Sequence, residues 1–250
     1  MTSFLLAWRF LTILPGGKSD VDPSPRDLGR SMACYPLVGL LLGVLLWGAY
    51  WLFSHAFPRT LCDGLILLLW VIITGAFHLD GLADTLDGLA AGKSATERLQ
   101  IMRDHRVGTF GAVGLILILG IKFLAMNSLP EEIIGKTLLV TLVLSRWSMV
   151  QLTYRAPYAR PEGGLGKAFK DNVGKREMWI ATASSLVIAV FLLRFWGAVL
   201  WLAVGVSALG IQLFFQKKIG GVTGDILGAA DEVHEILVLI MGVGIFRGYL

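Results

Sequence analysis

Charge is scarce in this chain. Asp, Glu, Lys and Arg make up only 16% of its 250 residues, against 55% hydrophobic, and the mean hydropathy is +0.70. That balance excludes an ordinary soluble domain. Cysteine is scarce as well. Cys34 and Cys62 make no CxxC pair, which removes a thiolate metal site and a disulfide framework from consideration, and both read as small buried apolar residues. No Pro- or Ser-rich linker interrupts the chain, so a single domain is expected over 1–250. No cleavable signal peptide is expected either. Phe4 to Leu14 is too short to span a membrane and ends at Pro15-Gly16-Gly17, without a small-residue cleavage site. Tandem repeats are missing.

What is present is a succession of long apolar runs. They predict an all-α, polytopic integral membrane bundle of about seven transmembrane helices. The spans fall near Pro36–Phe53, Cys62–Leu79, Val107–Leu129, Ile133–Tyr154, Met178–Phe195 and Gly197–Phe215, with a last helix from Asp225 to Leu250. A very tight turn joins the fifth and sixth. Residues 1–35 read as an interfacial segment. Phe4, Leu5, Trp8, Leu11 and Leu14 suit a short helix lying in the membrane surface, followed by a polar loop from Lys18 to Arg30. Gly81 to Arg106 reads as a cytoplasmic segment, helical in part, and Arg155 to Arg176 as a long polar loop.

The net charge of +4 does not signal nucleic acid, because the basic residues follow topology. One side collects Arg9, Lys18, Arg26 and Arg30, then Lys93, Arg98, Arg103 and Arg106. The same side takes the basic residues between Arg155 and Arg176, and Lys217 with Lys218; the other side receives only Arg59, Lys136, Arg194 and Arg247. The positive-inside rule then puts the N-terminus in the cytoplasm. The setting is a cytoplasmic (inner) membrane, with the functional face on the cytoplasmic side.

Asp80, Asp84 and Asp87 are spaced i, i+4, i+7, so a helix carries them on one face. Like charges in a row repel, and the C-terminal end of a helix, where the second span would place them, disfavours acids. A hard cation such as Mg²⁺ relieves both problems, held by carboxylates and by substrate phosphate. The last helix opens with a second acidic set. Asp225, Glu232 and Glu235 share a face, and Asp231 lies beside them. Asp225 alone suits a helix start, but Glu232 and Glu235 lie where ionisable residues face a cavity or a partner. These six carboxylates, Asp80, Asp84, Asp87, Asp225, Glu232 and Glu235, are the expected metal ligands.

Basic residues complete the pattern. Arg103-Asp104-His105-Arg106-Val107-Gly108 opens the third span, and its arginines suit a bound phosphate, although topology alone places arginines there too. Arg160 and Lys167 flank Gly163-Gly164-Leu165-Gly166. This is no Walker A loop, since Ala168 stands where Ser or Thr is required. Arg146, inside the fourth span, faces the same cavity or simply snorkels. Phosphoryl transfer with a hydroxyl nucleophile also needs a base. Asp104 and His78 are the candidates, His78 reading equally as a hydrogen-bonded interfacial residue.

Asp84-x-x-Asp87-Gly88-x-x-Ala91 resembles the opening of the CDP-alcohol phosphotransferase signature, but Gly92 stands in place of its Arg and the later part is unmatched. A longer resemblance is to the cobalamin synthase family, the adenosylcobinamide-GDP ribazoletransferases. Gly75-Ala76-Phe77-His78-Leu79-Asp80-Gly81-Leu82-Ala83-Asp84-Thr85-Leu86-Asp87-Gly88 carries it. So do Ile101 to Thr109, Tyr158-Ala159-Arg160 with Gly164-Leu165-Gly166, Thr223 to Ala230, and the opening Phe10 to Pro15. The resemblance implies an enzyme in the last step of cobalamin assembly. The hydroxyl of α-ribazole, or of its 5′-phosphate, attacks the phosphate borne by adenosylcobinamide-GDP, and GMP leaves. Mg²⁺ is the implied cofactor, and the lipid bilayer and the two substrates are the implied partners; a homo-oligomer is left open. The competing readings are a lipid enzyme of the CDP-alcohol type and an ion-coupled transporter.

Overall fold

In the computed structural model, residues 2–16, 22–104, 106–160 and 162–247 are described; Lys18, His105 and positions 248–250 lie outside them. The described chain is helical throughout, with one isolated bridge between Tyr158 and Val222. The helices are α1 (Ser3–Leu11), α2 (Pro25–Ser31), α3 (Tyr35–Ser54), α4 (Arg59–Ile73), α5 (Phe77–Ala91) and α6 (Ala95–Ile101). They continue with α7 (Thr109–Ser128), α8 (Glu131–Arg155), α9 (Leu165–Asn172), α10 (Lys175–Ile219) and α11 (Gly224–Phe246).

α8 is the axis of the bundle. Its residues from Thr137 to Thr153 are all buried, wrapped by α3, α10 and α11. The surrounding helices turn large apolar side chains outward: Ile116, Phe191 and Val206 are each more than 70% exposed. A polar-bearing centre inside an apolar exterior is the arrangement a bilayer selects. The first 35 residues pack on this bundle. α2 forms where a loop was expected, because Ser24 and Asp27 build a reciprocal capping box and Pro25 occupies the first turn.

By length and composition four helical runs can cross a membrane: 25–54, α7, α8 and α10. The count becomes five if α4 and α5 form one broken span. Three departures from the sequence expectation separate this count from seven, the last being that α11, with four acids, is not among the candidates. The expected second span, Cys62–Leu79, is not one helix. Gly75 (φ 63°) and Ala76 (φ 55°) are left-handed, and the chain turns by 85° between α4 and α5. α10, by contrast, is two helices that meet at a kink at Arg194 (φ 54°, ψ −130°). Trp201 Nε1 donates to Ser185 Oγ at 3.2 Å. Sixteen residues of straight helix would hold those two about 24 Å apart, so the two arms fold back on each other. The expected tight turn therefore exists, and α10 supplies two antiparallel arms.

Candidate functional site

The break at Gly75 and Ala76 decides the electrostatics of the acidic stripe. Asp80 lies in the first turn of a new helix, not at the end of an old one. The N-terminal end of a helix favours an acid, so the dipole objection raised by the sequence disappears. α5 then crosses α11 antiparallel and very closely. A Cβ on Gly81 would lie 2.7 Å from the Asp225 carbonyl oxygen, and one on Gly228 would lie 3.2 Å from the His78 backbone. Only glycine permits that approach, and it brings the two acidic sets together.

At the crossing, Asp84 is half-buried. The negative charges of Asp80, Asp225 and Asp87 act on it, with Arg160 opposing them. Arg160 is held in place by backbone pairing: Val222 N–H donates to the Pro157 carbonyl and Ala159 N–H to the Val222 carbonyl, each at 2.9 Å. Arg160 Nη2 then donates to Asp225 Oδ2 at 2.7 Å. Beside this group opens a cavity of about 370 Å³. Phe10, Tyr35, Phe77 and Phe169 form its apolar part; Arg103, Arg160, Asp225 and the Gly163–Gly166 loop form its polar mouth. Burial raises the pKa of the Tyr158 hydroxyl at that mouth, so it stays a neutral donor.

The six expected metal ligands separate into three groups. Asp80 and Asp225 act on Asp84 beside the cavity, whose mouth Asp225 lines. Asp87 turns away: its carboxylate accepts the backbone N–H groups of Gly108 (2.7 Å) and Gly111 (2.9 Å) and so caps α7 from a neighbouring helix. Glu232 and Glu235 lie deeper, in a buried ionic network. Lys122 donates to Glu232 at 2.6 Å and also to Glu235; Arg146 pairs with Glu235 and, at 3.1 Å, with Asp231; His78 Nδ1 lies 2.7 Å from Asp231 Oδ2. The Lys122 amine also sits 4.9 Å from the centre of the Trp70 ring.

Could the deep network hold a metal instead? His78, Asp231 and Glu232 bring ligand atoms within 4.8 Å of one another. Their carboxylates are already neutralised by Arg146 and Lys122, and an added dication would be repelled by both. The mouth region fits better, since three carboxylates there face Arg160 while Arg103 is already paired with Glu162. His78 and Arg146 accordingly belong to the buried network. Asp104 and Arg106 are exposed and engage each other, the Arg106 N–H donating to Asp104 Oδ1 at 3.2 Å. Arg103 pairs with Glu162 at the cavity mouth, while Lys167 pairs with Asp171 on α9 at 2.6 Å. The sequence reading missed Lys122, although a lone lysine in an apolar span is itself a signal. It also gave Asp231 no role and did not foresee the aromatic cavity.

Fold and site together define a membrane-embedded helical protein with an acidic, arginine-flanked centre at one end of its bundle. The chain belongs to the cobalamin-5-phosphate synthase family, whose model matches residues 3–243. A Pseudomonas putida protein named adenosylcobinamide-GDP ribazoletransferase is 41% identical over 96% of this chain and 98% of its own length. A protein of the same name from Geotalea daltonii is 38% identical over 97% of each chain. Another from Syntrophobacter fumaroxidans is 38% identical over 86% of this chain and 87% of its own. No solved structure matches.

Proposed function

We propose that this protein is an adenosylcobinamide-GDP ribazoletransferase, joining α-ribazole or its 5′-phosphate to adenosylcobinamide-GDP with release of GMP. The observation that carries the reading is the close crossing of α5 and α11, which groups Asp80 and Asp84 with Asp225 beside a nucleoside-sized cavity that Asp225 lines, in a chain of this family. A ribose hydroxyl of the acceptor forms a P–O bond to the phosphorus attached to cobinamide. The bond from that phosphorus to the GMP oxygen breaks, its electron pair leaves on GMP, and the hydroxyl proton passes to a carboxylate of the mouth cluster. Arg160 and Arg103 flank the place where the pyrophosphate would lie and suit its oxygens. Asp80, Asp84 and Asp225 would hold Mg²⁺, which when bound supplies charge neutralisation at the pyrophosphate. Purified protein given both substrates should release GMP and form the joined corrinoid in equal amounts. GMP release without joining, or no release, would refute the reading. Neither a CDP-alcohol enzyme nor a transporter accounts for the family match.

The membrane arrangement we propose has seven crossings: α3, the α4–α5 pair, α7, α8, the two arms of α10, and α11. α11 fails a simple composition test because of its acids, but Lys122 and Arg146 supply their counter-charges. The basic residues then favour a cytoplasmic N-terminus and a cytoplasmic site in the inner membrane. A cysteine placed at Ser94, at the exposed start of α6, should resist impermeant thiol reagents in intact cells. Labelling from outside would invert the topology.

A further inference from the structure

We propose that the aromatic cavity is the seat of the acceptor nucleoside, its flat base gripped by Phe10, Phe77 and Phe169 and its ribose directed to Arg160 and Asp225. This deepens the transferase reading and rests on it. Size is the first argument. About 370 Å³ lies at the small end of the ~300–1,000 Å³ range of small-molecule sites and has no room for a corrin macrocycle. Larger cavities of about 540 and 690 Å³ lie around Pro130 and Glu132, and neither lining includes a mouth carboxylate.

Chemistry is the second argument. Phe10 lies 4.7 Å from Phe169 and, edge-on at 79°, 5.5 Å from Phe77, measured between ring centres. Such a group offers ring faces and edges to another flat ring. Of the bases in the reaction, guanine carries a carbonyl, a ring N–H and an amino group, which need a matching row of donors and acceptors. The phenylalanines supply none. What polar groups the lining has, the Tyr158 hydroxyl, the Gly163–Gly166 backbone, Arg103, Arg160 and Asp225, lie at the mouth, and Asp225 already gives Oδ2 to both Arg160 and Thr223. The base of ribazole is a benzimidazole, two fused rings with no polar group outside the ring, and it loses little by leaving water.

Position is the third. Asp225 both lines the cavity and belongs to the carboxylate cluster. A nucleoside with its base on the rings therefore presents its ribose where the hydroxyl must react. The donor's phosphate would approach the same cluster from outside the cavity, which leaves guanine out of the aromatic floor.

The test has two arms on the full-length protein in detergent. Equilibrium binding of α-ribazole alone, followed by the fluorescence of its base, should weaken about tenfold or more in Phe77→Ala and Phe169→Leu. Phe77 is half exposed, so its variant keeps the test open if Phe169→Leu fails to fold. In steady-state turnover the KM for α-ribazole should rise by a similar factor while that for adenosylcobinamide-GDP stays within about twofold. Unchanged α-ribazole binding in Phe77→Ala, no binding by the wild type, or a rise confined to the KM of the GDP substrate would overturn the assignment. Failure of the wild type to release GMP would sink the transferase reading instead, and the binding arm would still judge the cavity.

Discussion

Lys122→Met removes one of the two cations that neutralise the buried network while keeping an unbranched apolar stem against Trp70. Lys122 touches Glu232 at 2.6 Å and also Glu235, and both carboxylates are at least 94% buried. After the change Arg146 alone faces Asp231, Glu232 and Glu235, with only His78 beside it. Deleting one partner of a buried pair costs about 3–5 kcal/mol because the other charge stays buried. For a chain of this size each kcal/mol moves the melting temperature by about 2–4 °C, so a drop of about 6–20 °C is expected. Thermal unfolding of the purified protein, followed by tryptophan fluorescence, measures it. Lys122→Met with Glu232→Gln should recover much of the loss, since the amide no longer needs a counter-charge, and the two changes should be far from additive. A Lys122→Met protein that melts like the wild type yet has lost turnover would refute the structural role and make Lys122 a substrate-binding group.

Asp84→Asn should lower kcat at least about 100-fold, the loss of some 3 kcal/mol of transition-state charge stabilisation, with the melting temperature nearly unchanged. Asp87→Ala should do the reverse, costing about 1–3 kcal/mol of stability as Gly108 and Gly111 lose their acceptor; equal behaviour of the two variants in both assays would contradict the separation of roles. Gly81→Val should force α5 away from α11, costing about 1–3 kcal/mol by overpacking and reducing turnover. Wild-type stability and turnover there would mean the crossing does not assemble the site.

Much of this could be read from residue order. The apolar runs located α3, α7 and α8 to within a few residues, because a span must be long and uninterrupted whatever it packs against. The tight turn in α10, at Arg194, followed from two adjacent apolar runs each long enough to span. The bend at Gly75 and Ala76 was hidden because the apolar composition continues through it: hydropathy reports solubility in lipid, not φ. The same blindness covered charge pairing. Glu232 and Glu235 were recognised as needing partners, but Lys122 and Arg146 lie about 110 and 89 positions away, and one sequence carries no signal of which cation meets which acid. The aromatic cavity was illegible for a similar reason, since Phe10, Phe77 and Phe169 come from three distant helices.

The charge left over at the mouth predicts the order in which ligands bind. The acids of the deep network each have a cation or His78 within reach. At the mouth Arg160 pairs with Asp225 alone, and the remaining compensation comes from helix ends. Asp80 lies in the first turn of α5 and Asp225 in the first turn of α11, and each helix start is worth about half a positive charge. Three carboxylates against Arg160 and two helix starts leave roughly one negative charge. A pyrophosphate alone would meet that residual repulsion; a dication would turn it into attraction. Inorganic pyrophosphate should therefore bind weakly without Mg²⁺ and at least about tenfold more tightly with it, and by reciprocity pyrophosphate should tighten Mg²⁺ binding by the same factor. Calorimetric titration of each ligand in the presence and absence of the other, on the wild type and on Asp84→Asn, measures the coupling. It should be large in the first and nearly lost in the second. Pyrophosphate binding that ignores Mg²⁺ in the wild type would place the phosphate site away from the crossing of α5 and α11.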